Sequence, residues 1–371
     1  MNLLTITIDL DAIAHNTRLL KQKAAGAQLM CVVKADGYNH GAARVAATMA
    51  AHGADQFGVA TLAEALALRE AGITQPILAW IWTPDQDVVA ALDAGIELGV
   101  PSLAHAAHLV SLRRPARVSV KLDTAMNRSG IDVAEWDTAF RMLIDAPHLT
   151  VTGLFSHLAC ADEPENPLND QQVALFRKAI DQARGAGLDV PVNHLVNSPG
   201  LLTRPDAYFD MVRPGIALYG YSPIPGLSAA AEGLRPAMTW ESRITVVKEI
   251  HAGEGVSYGQ TWRAPSDGYT AVVACGYADG LPRALQGSLE VSINGRRYPQ
   301  VGRVCMDQIV LWLGAGGEEA PPVQPGDRAI LFGPAETGAL TADDFAAALG
   351  TINYEVICSP HGRTTRAYLG G

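Results

Sequence analysis

Lys34 closes the apolar run 29–33 (L-M-C-V-V), and no carboxylate stands beside it until Asp36. A lysine at the carboxyl end of a buried strand is partly desolvated, so its amine gives up its proton more readily and condenses with a carbonyl as a Schiff base. Gly37, Asn39 and Gly41 then mark a turn, and an Ala-rich helical run follows. Further polar residues stand at the same place in the pattern, at or just past the end of an apolar run. Tyr38 follows the first run. Lys121 stands near the end of 117–122, with Arg128 beyond it in D-T-A-M-N-R-S-G, and His157 ends 149–157. Asn197 and Ser198 follow 192–196, while Arg213 ends 210–213 and Gly215 and Ile216 come next. A serine at a helix start, close to backbone amides near a glycine, suits an anion such as phosphate. A Schiff-base lysine, a phosphate cradle and a cation in one mouth point to pyridoxal phosphate. Each residue also has a plainer role: His157 as a satisfied core histidine, Lys121 paired with Asp123, Ser198 as a helix cap, Arg128 on water. Their joint placement after successive strands favours chemistry; their types alone do not.

The elements that would position them are regular. Eight short apolar runs, 29–33, 56–60, 76–80, 96–100, 117–122, 149–157, 192–196 and 210–213, are separated mostly by helical stretches at 42–51, 62–71, 86–94, 102–112, 133–144, 171–184 and near 199–202. This alternation over roughly 200 residues predicts a (β/α)8, TIM-like α/β barrel, whose active site lies at the carboxyl ends of the strands. A doubly wound sheet is the runner-up, but no G-x-G-x-x-G follows the first strand. From about Thr239 the texture changes to β-like runs at 242–250, 269–274, 289–293 and 308–312. Asn294-Gly295 reads as a two-residue hairpin turn, and 342–349 as a short helix. The domains are read as 1–238, the barrel, with a strand at 3–8 that packs with either part, and 239–371, a mostly-β C-terminal domain. The segment 221–236 is a linker rich in Pro, Gly and Ser; 161–169 is a long polar barrel loop and 314–325 an exposed hairpin loop.

Composition narrows the class. The 371 residues are 48% hydrophobic and 18% charged, with a formal net charge of -10, so the chain is globular. An acidic chain without a lysine/arginine cluster argues against nucleic-acid binding. No apolar run reaches the ~18–20 residues of a membrane span, and the N-terminus lacks the basic start of a secretory signal. Cys31, Cys160, Cys275, Cys305 and Cys358 are far apart without C-x-x-C spacing, which reads as reduced thiols in a cytoplasmic protein and no metal site.

The sequence resembles the pyridoxal-phosphate-dependent alanine racemases nearly end to end. The resemblance rests on V-V-K-A-D-G-Y-N-H-G (32–41), M-N-R-S-G (126–130), S-H-L-A-C-A-D (156–162), N-S-P-G (197–200) and R-P-G-I-A-L-Y-G (213–220). It continues in V-S-Y-G (256–259), G-Y-A-D-G-L-P-R (276–283), V-G-R-V-C-M-D-Q (301–308) and N-Y-E (353–355). It implies that Lys34 carries the cofactor and that Tyr38, Ser198, the Gly215 and Ile216 backbone and Tyr354 contact its phosphate, with Asn197 nearby. Arg213 would face the pyridine nitrogen and His157 the ring. Arg128 and the Met306 backbone would hold the substrate carboxylate, and Lys121, often carbamylated in this family, would steady Arg128. Asp162, Tyr277, Arg283 and Arg303 would line the entrance channel. Tyr258 and Met306 would come from the other subunit of a homodimer, in a cytoplasmic isomerase that provides D-alanine for bacterial peptidoglycan.

Racemisation removes a proton from one face of the α-carbon and returns it to the other, which two opposed bases, Lys34 and Tyr258, would do. Two departures stand out. Gly37 and Asn39 replace an alanine and a glycine usual in the lysine motif, and Ala125 stands where glycine is usual. Asparagine tolerates a left-handed backbone, so the first change is compatible with the turn. Competing readings are a broader-specificity or serine racemase on the same scaffold, a non-catalytic pyridoxal-phosphate-binding protein, and a related decarboxylase. The β domain with Tyr258 argues against the carrier, and the lack of a late Cys/Asp motif argues against the decarboxylase.

Overall fold

In the computed structural model, which describes residues 2–316 and 323–371, the apolar runs become short strands with nearly every residue buried, as a parallel sheet wrapped by helices requires. The chain forms two units, Ala12–Arg235 and Met1–Asp11 with Pro236–Gly371. β1 (Leu4–Asp9) lies in the second. The first holds β2 (Gln28–Val32), β3 (Gln56–Thr61), β4 (Ile77–Ile81), β5 (Glu97–Val100), β6 (Ala116–Lys121), β7 (Leu149–Phe155) and β8 (Met211–Val212). These form one parallel sheet in the order β7-β6-β5-β4-β3-β2-β8.

The run at 192–196 is reduced to a single bridging residue. His194 pairs in parallel with Phe155 on one side and Met211 on the other, which closes the sheet as a (β/α)8 barrel. The Val192 and His194 amides still donate to the Thr152 and Leu154 carbonyls at 3.0 Å, and side chains add to this ladder. Asn193 Oδ1 accepts from the Leu154 amide at 3.1 Å, and Asp210 accepts from the Asn193 amide at 2.8 Å. The approach is so close that a Cβ on Gly153 would stand 1.7 Å from the Val192 carbonyl oxygen, so only glycine fits there.

Of the helix boundaries that differ from the sequence reading, two have a side-chain cause. The helix expected at 86–94 is only Val89–Asp93, because Gln86 and Asp87 side chains accept from the Thr83 and Val89 amides and hold a local turn instead. The helix expected at 171–184 is Leu168–Gly185, since Asn166 Oδ1 accepts from the Leu168 amide and starts it inside the 161–169 loop.

The second unit is mostly β. It comprises β1, β9 (Met238–Ile250), β10 (Gly255–Val256), β11 (Trp262–Arg263), β12 (Gly268–Val273), β13 (Glu290–Ile293), β14 (Arg296–Val301), β15 (Ile309–Ala315), β16 (Arg328–Phe332) and β17 (Thr365–Leu369). Its main sheet runs β12-β15-β14-β13-β16-β9-β1-β17, and a further β12–β9 pairing closes six of these strands into a ring. β1 pairs with β9 and β17, so Met1–Asp11 is counted with this unit rather than with the range 1–238. Asn294 (φ 52) and Gly295 (φ 80) turn β13 into β14 with positive φ at both positions, as a type I′ hairpin demands. The helix expected at 342–349 is Ala342–Leu349, started by a Thr341/Asp344 capping box. Half of the hairpin loop expected at 314–325, residues 317–322, lies outside the described residues. Among the described residues no helix is long and apolar enough to cross a membrane.

Candidate active site

Lys34 leaves the carboxyl end of β2 through Val33, whose amide donates to the Gly58 carbonyl on β3 at 2.9 Å. The turn that follows is left-handed: φ is 51, 54, 64, 51 and 67° at Ala35, Asp36, Gly37, Tyr38 and Asn39. Each non-glycine residue there costs roughly 1–2 kcal/mol, least at Asn39. Local hydrogen bonds offset the strain. The Gly37 amide donates to Val33 O (2.8 Å), Asn39 to Ala35 O (2.9 Å) and Gly41 to Asp36 O (2.9 Å), while Asp36 Oδ1 accepts from the Ala42 amide at 2.8 Å. Gly37 has a steric reason too, because a Cβ there would stand 2.9 Å from Val45 Cγ2. The turn brings the Tyr38 ring centroid to 6.0 Å from Lys34 Nζ.

Tyr38 packs against Tyr219, ring centroids 4.9 Å apart, and Tyr219 donates its hydroxyl proton to the Val32 carbonyl at 3.0 Å. The Tyr38 hydroxyl therefore has a defined place, and it lies over Gly215: a Cβ at 215 would stand 2.3 Å from it. Buried Ser198 completes the cradle, its Oγ accepting from the Gly215 amide at 2.8 Å and the Ala217 amide at 3.3 Å. Ile216, expected to contribute its amide, lies buried between them. Asn197 caps the helix Ser198–Thr203, accepting from the Gly200 amide at 3.3 Å.

Arg213 is buried beside this cradle. Its Nη2 donates to the carbonyls of Ser156 (2.6 Å) and Leu195 (3.1 Å), and its Nη1 to His194 Nδ1 at 2.9 Å. Burial pushes the guanidinium down to about 9, still charged at neutral pH. His157 Nδ1 lies 3.4 Å from Arg213 Nη2, and His157 Nε2 lies 3.4 Å from Asn197 Nδ2. Burial first, then the Arg213 and Arg128 cations, hold His157 well below the ordinary histidine range.

Lys121 is buried at the end of β6, and its Nζ donates to Ser129 Oγ at 2.5 Å. Burial first, then Arg128 and Arg213, push it down to about 8. The loop that carries Arg128 is wound around one carboxylate oxygen: Asp123 Oδ1 accepts from the amides of Ala125 (2.9 Å), Met126 (3.0 Å) and Asn127 (3.1 Å). Asp123 thus serves the loop rather than pairing with Lys121 at the surface. Ala125 sits at φ 89 and Asn127 at φ 54, and Arg128 is exposed.

In the β unit, Tyr258, Tyr277, Arg283, Arg303, Val304 and Cys305 line an open cleft of about 540 Å³. Ser257 donates its hydroxyl to the Arg303 carbonyl at 2.9 Å, and the Tyr277 and Ala278 amides donate to Cys305 and Met306 carbonyls at 3.1 and 3.0 Å. Tyr258 is 71% exposed and Met306 52%. Tyr354 lies on the helix Asn353–Cys358 of this unit, and Asp162 is exposed in the barrel's 161–169 segment. The structure thus gathers Lys34, Tyr38, Lys121, His157, Asn197, Ser198, Arg213 and Gly215 at the strand ends of the barrel, and Tyr258 with three of the four channel residues in one cleft of the β unit. Sequence reasoning missed His194, Ser129 and the Ala217 amide. A polar residue in the middle of the run V-N-H-L-V was the available signal for His194.

A barrel with a lysine on a strained turn, a hydroxyl-and-amide cradle and a buried guanidinium at its mouth, joined to a mostly-β unit, defines a class of two-part barrel enzymes. Residues 8–223 match the model of the alanine racemase N-terminal domain, and residues 237–368 that of the alanine racemase C-terminal domain. A Corynebacterium efficiens protein named alanine racemase is 62% identical across 100% of this chain and 99% of its own length. One from Mycobacterium tuberculosis is 50% identical over 97% of this chain and 94% of its own. The crystal structure of alanine racemase from Corynebacterium glutamicum superposes with a TM-score of 0.89 at 54% identity, covering both chains in full. That from Streptomyces coelicolor superposes at 0.95 with 41% identity, covering 99% of this chain and 98% of the other. The chain belongs to the alanine racemase family.

Proposed function

We propose that this chain interconverts L-alanine and D-alanine, with pyridoxal 5'-phosphate carried on Lys34. The observation that carries the reading is the cradle. Glycine at 215 lets the Tyr38 hydroxyl lie against the backbone there, beside Ser198 Oγ, which gathers the Gly215 and Ala217 amides. Hydroxyls and backbone amides without a carboxylate suit a phosphate. The resemblance adds Tyr354 to the phosphate contacts.

Bound there, the cofactor supplies an electron-accepting ring that acidifies the substrate's α-hydrogen. The chain's own residues divide the remaining work. Lys34 and Tyr258 take and return the proton on opposite faces of the α-carbon, the lysine on the D face and the tyrosine on the L face. Arg128 and the Met306 amide hold the substrate carboxylate. Arg213 would face the ring nitrogen; a guanidinium only donates, so it would leave that nitrogen unprotonated and restrain side reactions. His157 stays neutral beside the ring. Lys121, with an amine near neutrality, takes up carbon dioxide as a carbamate and steadies Arg128.

Tyr277, Arg283 and Arg303, which share one cleft, belong to the entrance channel, to which the resemblance adds Asp162. The protein works as a homodimer in which each copy lends Tyr258 and Met306 to the other's barrel. The exposure of these two large side chains in the single chain supports that arrangement. The cellular setting is cytoplasmic provision of D-alanine for peptidoglycan. Relatives named alanine racemase at 50–62% identity favour alanine over serine or a broader amino-acid range. Borohydride reduction of cofactor-loaded protein followed by peptide mapping tests the assignment: the label belongs on Lys34 and is lost in Lys34→Ala. Label on another lysine refutes it. Parallel turnover of alanine, serine and lysine tests the substrate.

A further inference from the structure

Glu64 lies in the helix Leu62–Glu70, but its carboxylate serves two places. Oε2 accepts from the amides of Ala60 (2.8 Å) and Thr61 (3.0 Å), closing a capping box in which the Thr61 hydroxyl receives the Glu64 amide at 3.2 Å. Oε1 points away from the cap and accepts from the backbone amide of Ala35 at 2.7 Å. That amide belongs to the peptide joining Lys34 to the left-handed turn. One side chain therefore ties the end of β3 to the point where the backbone after β2 changes hand, from φ −121 at Val33 to φ 51 at Ala35.

We propose that Glu64 is a positioning residue for Lys34. By holding the Ala35 amide it fixes where the lysine side chain departs into the barrel mouth, and it keeps the strained turn from relaxing toward ordinary backbone. The inference rests on Lys34 being the cofactor-bearing lysine. The chemistry requires a carboxylate, because both oxygens accept at once. Glutamine has a single acceptor and would turn an amide donor toward either Ala35 or the helix cap, leaving one of them opposed donor to donor. Aspartate is one methylene shorter and cannot span both.

The test uses the full-length protein stripped of cofactor and titrated with pyridoxal 5'-phosphate. Adduct formation at Lys34 is read by absorbance and by borohydride trapping, alongside thermal melting and alanine kinetics. Thr61→Ala is the control: it removes the capping hydroxyl but leaves the carboxylate free to hold Ala35. Glu64→Gln and Glu64→Ala are expected to weaken adduct formation at Lys34 at least tenfold and to lower kcat more than they change KM. Thr61→Ala is expected to lower the melting temperature while keeping adduct formation within twofold of wild type. Wild-type adduct affinity in Glu64→Gln overturns the proposal. Equal weakening in Thr61→Ala overturns it as well, because the effect then belongs to the helix cap. Trapping of wild-type protein on a residue other than Lys34 refutes the cofactor assignment itself, which distinguishes the two failures.

Discussion

Arg213 Nη1 and His194 Nδ1 stand 2.9 Å apart inside the barrel. A guanidinium has no lone pair to offer, so the histidine must present its own at Nδ1 and carry its proton at Nε2, toward Ser119 Oγ at 3.4 Å. Burial, then Arg213, hold His194 well below the ordinary histidine range, as they do His157. The folded state then binds fewer protons than the unfolded chain once the pH falls through ~6.5, the unfolded value. Stability present above that pH should be lost below it, by at most about 1.4 kcal/mol per pH unit for each histidine. Urea unfolding of wild type and His194→Asn at several pH values from 7.5 to 5.5 checks this. The variant should show the shallower decline; parallel curves would contradict a neutral His194.

Gly215→Ala puts a Cβ 2.3 Å from the Tyr38 hydroxyl and 2.9 Å from its Cζ. Tyr38 would have to leave its place against Tyr219, costing about 1–3 kcal/mol of stability as overpacking does. Affinity for pyridoxal 5'-phosphate should fall by on the order of a hundredfold, the work of about 2–3 kcal/mol of lost phosphate contacts. In a Tyr38→Phe background the same substitution should cost less stability, since the nearest clashing atom is gone. Equal costs in both backgrounds would mean the clash is not with Tyr38.

Ala125 occupies φ 89, at the position where the family resembled more usually has glycine. Relief of roughly 1–2 kcal/mol of left-handed strain, less the ~0.5–1 kcal/mol entropy cost of a glycine, leaves a net gain in Ala125→Gly. Chemical denaturation should show the variant more stable by roughly 0.5–1 kcal/mol. A loss of stability would show that the loop around Asp123 already accommodates the alanine.

With Lys121 pushed down to about 8, roughly a tenth of its amine is unprotonated at pH 7 and half at pH 8. Carbamate forms only from the neutral amine. In ¹³C-labelled bicarbonate, a carbamate signal should grow as the pH rises from 7 to 9 and vanish in Lys121→Ala. Absence of the signal in wild type would leave Ser129 alone to hold the lysine.

Much of this was readable from residues. The barrel strands announced themselves because a sheet covered on both faces is apolar throughout, and Asn294-Gly295 pointed to a hairpin because such a pair takes two positive φ values at little cost. The placement of Lys34, Lys121, His157 and Arg213 followed from their position at strand ends. What stayed hidden depended on contacts distant in sequence. β1 looks like any first strand, yet its partners β9 and β17 come more than 200 residues later. The strand at 192–196 narrows to a bridge at His194, where Asn193 and Asp210 side chains add hydrogen bonds beside the backbone ones. Asp123 looked like a partner for Lys121, but three successive amides claimed it.

Assignment of Lys34 and Tyr258 as separate bases is tested most directly by α-hydrogen exchange from each alanine enantiomer in D₂O, measured with Tyr258→Phe loaded with pyridoxal 5'-phosphate. The prediction is that D-alanine still exchanges its α-hydrogen through Lys34, while L-alanine exchange and net racemisation fall together by several orders of magnitude. Racemisation at the wild-type rate, or equal loss of both exchanges, would contradict it.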